Sequence, residues 1–419
     1  MRRTAVLLAS ALLLLPTPAV HAQTGVDKAA KAVSADVIRA HIDFLASDAL
    51  EGRGSGTRGG DLAARYIAAQ YIRLGLEPAG DDSTYFFKVP LISFTPNPTL
   101  SLGGTAAEYP KDFVLNPMRW DSLVTVDAPL VFVGYGIVAP EYEWNDYAGL
   151  DVKGKVVAVM VNDPGLHDSS TFKGKVLTYY ARWTYKFEEA ARQGAAGVLL
   201  IHTEESATYP WGTVEGSATG RQVRLESAPT SLKVTGWVQH DLMARAFTAA
   251  GADLDRAMAE AGKRGFVGSE LPIRVAATVR STMTRTEIFN VLGRLPGNGG
   301  PLAKEAVVLG AHYDHLGIAK PVDGDSIYNG ARDNAAGVGE MLAIAEALNR
   351  AELSGKRSII FAAFGGEEAG LLGSQAMIDR PFMPLQNVAA MLNFDGANLF
   401  GRTRDIAANG SDQSSLLGA

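Results

Sequence analysis

The chain has 419 residues, of which 47% are hydrophobic and 20% are charged, and it contains no cysteine. This composition is typical of a protein with a substantial buried core and excludes an intrinsically disordered chain. A net charge of −6 without basic clusters argues against nucleic-acid binding. Because cysteine is absent, disulfides and thiolate metal sites are excluded, and any metal must be held by His, Asp and Glu.

The first 22 residues have the pattern of a signal peptide. Arg2 and Arg3 precede an apolar run, 5–15, and small residues such as Ala22 stand at the expected cleavage position. This run is shorter than the roughly 20 apolar residues that span a bilayer, so a membrane anchor is the less favoured alternative. We therefore expect a protein exported to the periplasm or the extracellular space, without a stable membrane anchor.

Downstream of the signal, the pattern of hydrophobic residues predicts an α/β fold in two parts. Residues 23–123 begin with two helices around a glycine-rich stretch, and 124–280 read as a smaller α/β module with short β-rich runs. From 281 to 419, long apolar strands alternate with helices. This alternation predicts a mixed, mostly parallel sheet with helices on both faces.

Histidine and carboxylate residues follow the predicted strands of the last part. Strands at 306–310, 358–364 and 388–393 each precede such residues, and an acid opens the helix at about 334–350. In chain order the residues are His312, Asp314, Asp333, Glu367, Glu368 and Asp395. Because the carboxyl ends of parallel neighbouring strands meet at one sheet edge, we expect these side chains to converge there.

Carboxylates gathered at one edge resist joint ionisation unless a cation lies among them. Without cysteine, imidazole and carboxylate ligands favour zinc, and cobalt or manganese also fit the chemistry. Taken singly, each residue has an ordinary interpretation: Asp333 as a helix cap, His312 as a satisfied histidine at a strand end, and 367–368 as a solvated helix start. Their joint placement on successive strand ends favours the metal site.

At these positions the chain resembles the co-catalytic di-zinc aminopeptidases, in which an aspartate bridges two zinc ions. The motifs that carry the resemblance, in the family's order and spacing, are 311–315, 330–337, 364–368 and 393–395. In addition, 51–80 resembles the family's N-terminal region, and 124–270 is similar to a protease-associated domain inserted in several members. The resemblance implies a metal-dependent exopeptidase that acts on peptides.

The resemblance also implies a role for each residue. His312 and Asp395 would bind one zinc ion, Glu368 would bind the other, and Asp333 would bridge the two. Glu367 would be the general base that takes a proton from the attacking water. Asp314 would be the catalytic-site carboxylate that orients the imidazole of the histidine ligand.

The chain departs from the family pattern at the second zinc. The family's fifth ligand is a downstream histidine, whereas no histidine follows His315 here. We therefore expect an incomplete copy of a longer enzyme. In this copy the second zinc ion keeps only Asp333 and Glu368 as protein ligands, and the sequence does not indicate whether the 419-residue form is active. A natural short form that binds one metal or none is the alternative. His315 itself is a weak substitute, because it already belongs to the family pattern.

The leading functional prediction is a secreted zinc aminopeptidase. A related zinc carboxypeptidase or aminoacyl cyclase is the first alternative, because related folds share this arrangement of ligands. A non-catalytic binding protein is the second, since protease-associated modules also accompany degenerate peptidase domains. Retention of Glu367, which a binding protein would not need, argues against this last alternative. Substrate side-chain preference and oligomeric state are not indicated by the sequence.

Overall fold

The computed structural model describes residues 18–419 apart from 228–229, 397, 399–400, 402, 404–407, 411–414 and 416–419. The predicted signal peptide therefore lies outside the described residues except for 18–22, which belong to the first helix. Within the described part of the chain, no helix is both long and hydrophobic enough to cross a membrane.

The helices and strands alternate along most of the chain. The α-helices are α1 (Pro18–Ala32), α2 (Ala35–Leu45), α3 (Arg58–Arg73), α4 (Trp183–Arg192), α5 (Glu204–Ala207), α6 (Trp211–Ala218), α7 (His240–Ala249), α8 (Leu254–Ala261), α9 (Ala336–Arg350) and α10 (Leu372–Asp379). The strands are β1 (Glu77–Pro78), β2 (Phe86–Leu102), β3 (Thr105–Ala106), β4 (Phe113–Pro117), β5 (Leu123–Phe132), β6 (Val138–Ala139), β7 (Trp144–Asn145), β8 (Val156–Met160), β9 (Gly197–His202), β10 (Gln222–Leu225), β11 (Val234–Gln239), β12 (Ser269–Leu295), β13 (Ala306–His312), β14 (Gly317–Val322), β15 (Asp325–Tyr328), β16 (Ser358–Phe364) and β17 (Val388–Asn393).

One continuous sheet runs through both halves of the molecule. Among the described residues it has 13 strands, with the central order β17-β13-β16-β12-β5-β8-β9-β11-β4. The 27-residue strand β12 joins the halves, because its start pairs with β5 and its end pairs with β16. The interpretation of 124–280 as an inserted protease-associated domain stays a prediction.

The predicted α/β class with a mixed sheet is confirmed, with fewer parallel pairs than expected. Parallel pairing occurs in two runs, β17-β13-β16 and β5-β8-β9-β11. Between them, β12 is antiparallel to β2, β5 and β16. The difference arises because the long strand β12, which no helix interrupts, lies between the two parallel runs and is antiparallel to its neighbour in each of them.

Helices cover both faces of the sheet around β16, as its uninterrupted apolar sequence predicts. Phe361 and Ala363 pack into a core with α3 and α9, whereas Ile360 and Ala362 pack into a second core that includes residues of α10. This alternation follows from the two-residue period of a strand. The result is a rigid platform whose carboxyl-terminal edge carries the predicted metal ligands.

Candidate metal centre

The ends of three parallel strands bring the predicted ligands to one edge of the sheet. His312 is the last residue of β13, which lies between β16 and β17. Glu367 and Glu368 follow the end of β16, and Asp395 follows the end of β17. Asp333 reaches the same edge from the turn that precedes α9. The convergence expected from the sequence therefore exists in the structure.

A first group of donor atoms surrounds the imidazole of His312. Its Nε2 lies 3.1 Å from Oδ1 of Asp333 and 3.5 Å from Oδ1 of Asp395. Ligands of one tetrahedral zinc ion are separated by about 3.3–3.5 Å, given zinc–ligand bonds of about 2.0–2.2 Å. The imidazole is almost fully buried, whereas both carboxylates are about half exposed. One nitrogen and two oxygens at these distances fit a zinc ion.

A second group of donors shares one of these carboxylates. His315, Asp333 and Glu368 each offer an atom within 4.8 Å of the others. Nδ1 of His315 lies 2.6 Å from Oε1 of Glu368, and both side chains are largely buried. Asp333 is the residue that belongs to both groups. Sequence reasoning treated His315 as a weak substitute, although its position three residues after His312 was a usable signal.

Asp314 is fully buried behind the donors and holds the loop of the predicted general base. Its Oδ1 accepts a hydrogen bond of 3.1 Å from the backbone N–H of Glu367, and its Oδ2 accepts one of 2.7 Å from Ser55. The predicted orienting contact is longer, since Oδ1 lies 3.9 Å from Nδ1 of His312. The nearer partner of that nitrogen is the carbonyl oxygen of Asp314, at 3.2 Å.

A buried arginine from the glycine-rich stretch holds the loops that carry the ligands. Arg53 has no exposed surface, and its guanidinium donates hydrogen bonds only to carbonyl oxygens. The acceptors belong to Leu45, Tyr313, Asn329 and Gly330, the last three at 2.7, 2.6 and 2.8 Å. Burial lowers the pKa of Arg53 to about 10, against the opposing charges of Asp314, Asp333 and Glu368. Sequence reasoning missed this residue.

Asn334 connects two of the ligand-bearing segments. This buried side chain donates to the carbonyl oxygen of Phe394 at 2.9 Å and accepts from the backbone N–H of Gly396 at 3.2 Å. It also accepts from the N–H of Gly337, which caps the start of α9. The residues on either side of Asp395 are thereby tied to the residue that follows Asp333.

The concentration of charge changes how the site titrates. Burial lowers the pKa of His312, but the hydrogen bond to Asp333 and nearby carboxylates outweigh it and raise the pKa to about 9. Burial also raises the pKa of Glu367 to about 7, with His312 acting against this rise and Glu368 adding to it. The hydrogen bond to His312 is the main cause that lowers the pKa of Asp333. Without a metal, the imidazolium of His312 is a cation that lies among these acids.

Comparison with known proteins assigns the part of the chain that carries these ligands. Residues 290–419 match Peptidase family M28. The matched segment contains every donor residue of both groups, together with the acid predicted as the general base.

Several proteins are similar to this segment. "Leucine aminopeptidase 1" of Trichophyton rubrum is 34% identical over 126 residues, which cover 29% of this chain and 32% of that protein. "Probable zinc metalloprotease" of Pyrenophora teres f. teres is 36% identical over 108 residues, which cover 26% of this chain and 22% of that protein. The chain thus spans about a tenth to a third of the length of the first curated relatives it matches.

Similarity to solved structures extends further along the chain at lower identity. The crystal structure of a Peptidase M28 precursor from Shewanella amazonensis is 18% identical, with a TM-score of 0.45. The match covers 90% of this chain and 75% of that one.

Substitution of Arg53 by lysine tests whether the buried guanidinium holds the metal loops. Lysine keeps the charge but cannot reach all four carbonyl oxygens, and each buried acceptor left without a donor costs about 1–3 kcal/mol. We expect Arg53→Lys to lower the free energy of unfolding by about 2–4 kcal/mol and to weaken zinc binding. Urea unfolding and zinc calorimetry measure both. The exposed Arg65→Lys is the control, and equal effects in the two variants would contradict this role.

Zinc binding is expected to release protons in the neutral pH range. The raised pKa of His312 keeps its imidazole protonated below about pH 9, whereas a zinc ligand must be neutral. Zinc affinity should therefore fall as pH falls from 9 towards 6, with release of about one proton per ion at this histidine. Calorimetry in buffers of different ionisation enthalpy measures the release. A zinc affinity independent of pH across this range would show that His312 is not a ligand.

Proposed function

We propose that this protein is a secreted zinc-dependent aminopeptidase that binds two zinc ions and removes N-terminal residues from peptides. The observation that carries the proposal is the pair of histidine–carboxylate groups that share Asp333 at one sheet edge. The similarity of this segment to proteins named leucine aminopeptidase and zinc metalloprotease supports the same reaction class and metal.

The ligand set in this proposal is drawn from the two donor groups. His312 and Asp395 would hold one ion, Glu368 would hold the other, and Asp333 would bind both. His315, the remaining member of the second group, lies against Glu368, with its Nδ1 2.6 Å from Oε1 of that carboxylate. Nitrogen and oxygen donors without thiolates suit zinc. When bound, zinc supplies a lowered pKa for bound water and a positive charge that polarises a carbonyl oxygen.

Glu367 is the general base in this proposal. Its pKa of about 7 is close to neutral pH, so the carboxylate can take a proton from water and later return it to the departing amine. Asp314 holds the backbone N–H of Glu367 and so fixes the start of this loop.

We also propose that the protein is exported. The basic start, short apolar run and small residues before Gln23 support cleavage after Ala22. Export would bring the protein to the periplasm or the extracellular space, where its substrates would be peptides.

Substitution of Glu367 by glutamine tests the proposed chemistry. Glutamine keeps the shape of the side chain but cannot accept the proton, so we expect the variant to bind zinc normally and to lose about 10²- to 10⁴-fold in kcat. Metal analysis and hydrolysis of leucine anilide measure the two properties. Glu143→Gln, at an exposed position of the other half of the molecule, is the matched control. Near-normal turnover by Glu367→Gln would refute the assignment of the base.

A further inference from the structure

A cavity of about 380 Å³ opens directly beside the proposed general base. One wall is formed by the matched segment 290–419, through Glu367, Glu368 and Leu371. The second wall comes from 161–209, in the other half of the molecule. A volume of this size accommodates a small peptide. The two halves thus enclose the space that a substrate at the proposed metal centre would occupy.

The segment 176–183, which contributes Leu177 and Trp183 to the second wall, is rich in exposed hydrophobic side chains. Val176, Leu177, Tyr179 and Trp183 lie within eight positions, and each is among the exposed large hydrophobic residues of the described chain. Leu177 is 62% exposed and Trp183 is 37% exposed, and both line the cavity. Apolar side chains that face an open cavity beside a reactive centre are typical of a ligand-binding wall.

The same wall also carries a positive charge. Arg182 is the basic residue among the described residues that line the cavity, and its side chain is exposed. Its guanidinium forms no ion pair with a carboxylate in the described part of the chain, whereas the cavity's acids, Glu367 and Glu368, lie on the other wall. The cavity is therefore acidic on the wall of the proposed metal centre and basic on the second wall. A guanidinium with free donors is suited to a planar carboxylate.

We propose that Leu177, Arg182 and Trp183 form the subsite for the part of the substrate beyond the scissile bond. The subsite takes short peptides whose second residue is apolar and whose terminal carboxylate is free. The apolar side chain packs on Leu177 and Trp183, and the carboxylate pairs with Arg182. This inference rests on the proposed function, since a peptide held by its amino end at the acids directs its other end to this wall.

Replacement of Arg182 by glutamine tests the subsite with two matched peptides. Loss of a charged hydrogen-bonding partner should raise KM for Leu-Leu by about 10- to 100-fold and leave kcat unchanged. Leu-Leu amide lacks the carboxylate, so its KM should hardly change. Arg182→Lys should restore part of the affinity for Leu-Leu. The control is Arg256→Gln, an exposed arginine of α8 away from the cavity, which should behave as the unsubstituted chain. Equal changes for both peptides, or no change, would overturn the proposal.

Direct binding separates this inference from the proposed reaction. In the zinc-loaded full chain carrying Glu367→Gln, calorimetry should show that Arg182→Gln weakens binding of Leu-Leu but not of its amide. Selective weakening of binding, together with no hydrolysis of either peptide by the zinc-loaded chain that keeps Glu367, would support the subsite and refute the aminopeptidase. Hydrolysis of both peptides by the chain that keeps Glu367, without any effect of Arg182→Gln on binding, would support the aminopeptidase and refute the subsite. A chain that binds neither peptide would overturn the subsite.

Discussion

Repulsion among carboxylates at the carboxyl ends of β13, β16 and β17 is the constraint on which the rest of the centre depends. Asp333, Glu368 and Asp395 meet there because three parallel strands end at one edge and a helix begins beside them. Like charges this close disfavour joint ionisation unless a cation compensates them. Without a metal ion, the protonated imidazole of His312 supplies that compensation, and the buried guanidinium of Arg53 adds a second positive charge. A metal ion replaces the proton of the imidazole and suits the same geometry.

Much of this centre was predictable because strand periodicity and strand ends are local properties of the sequence. The apolar runs that became β13, β16 and β17 were recognised, and so were the acids and the histidine that follow them. Because these strands are parallel neighbours, the residues that follow them must lie at the same edge of the sheet. The position of His315 was not predicted, because the motif places it beside His312 without indicating that it turns towards Glu368.

The interactions that support the metal centre could not be predicted from the sequence, for a different reason. Arg53 donates to a carbonyl oxygen 260 positions away, and nothing local distinguishes it from an exposed arginine in a glycine-rich loop. The strand β12 likewise looked like a boundary between two units, whereas its 27 residues carry one sheet through both. Arg182 and Glu367, which lie in different halves of the chain, line the same cavity, and this relationship depends on tertiary structure alone.

The sharing of Asp333 by two zinc ions at this sheet edge can be tested by anomalous diffraction at the zinc absorption edge, from crystals of the full chain grown with zinc. We expect two peaks about 3.5–4 Å apart, one bound by His312 and Asp395 and the other by Glu368, with Asp333 contacting both. Zinc bound elsewhere, or well-ordered carboxylates at this edge without any zinc between them, would contradict it.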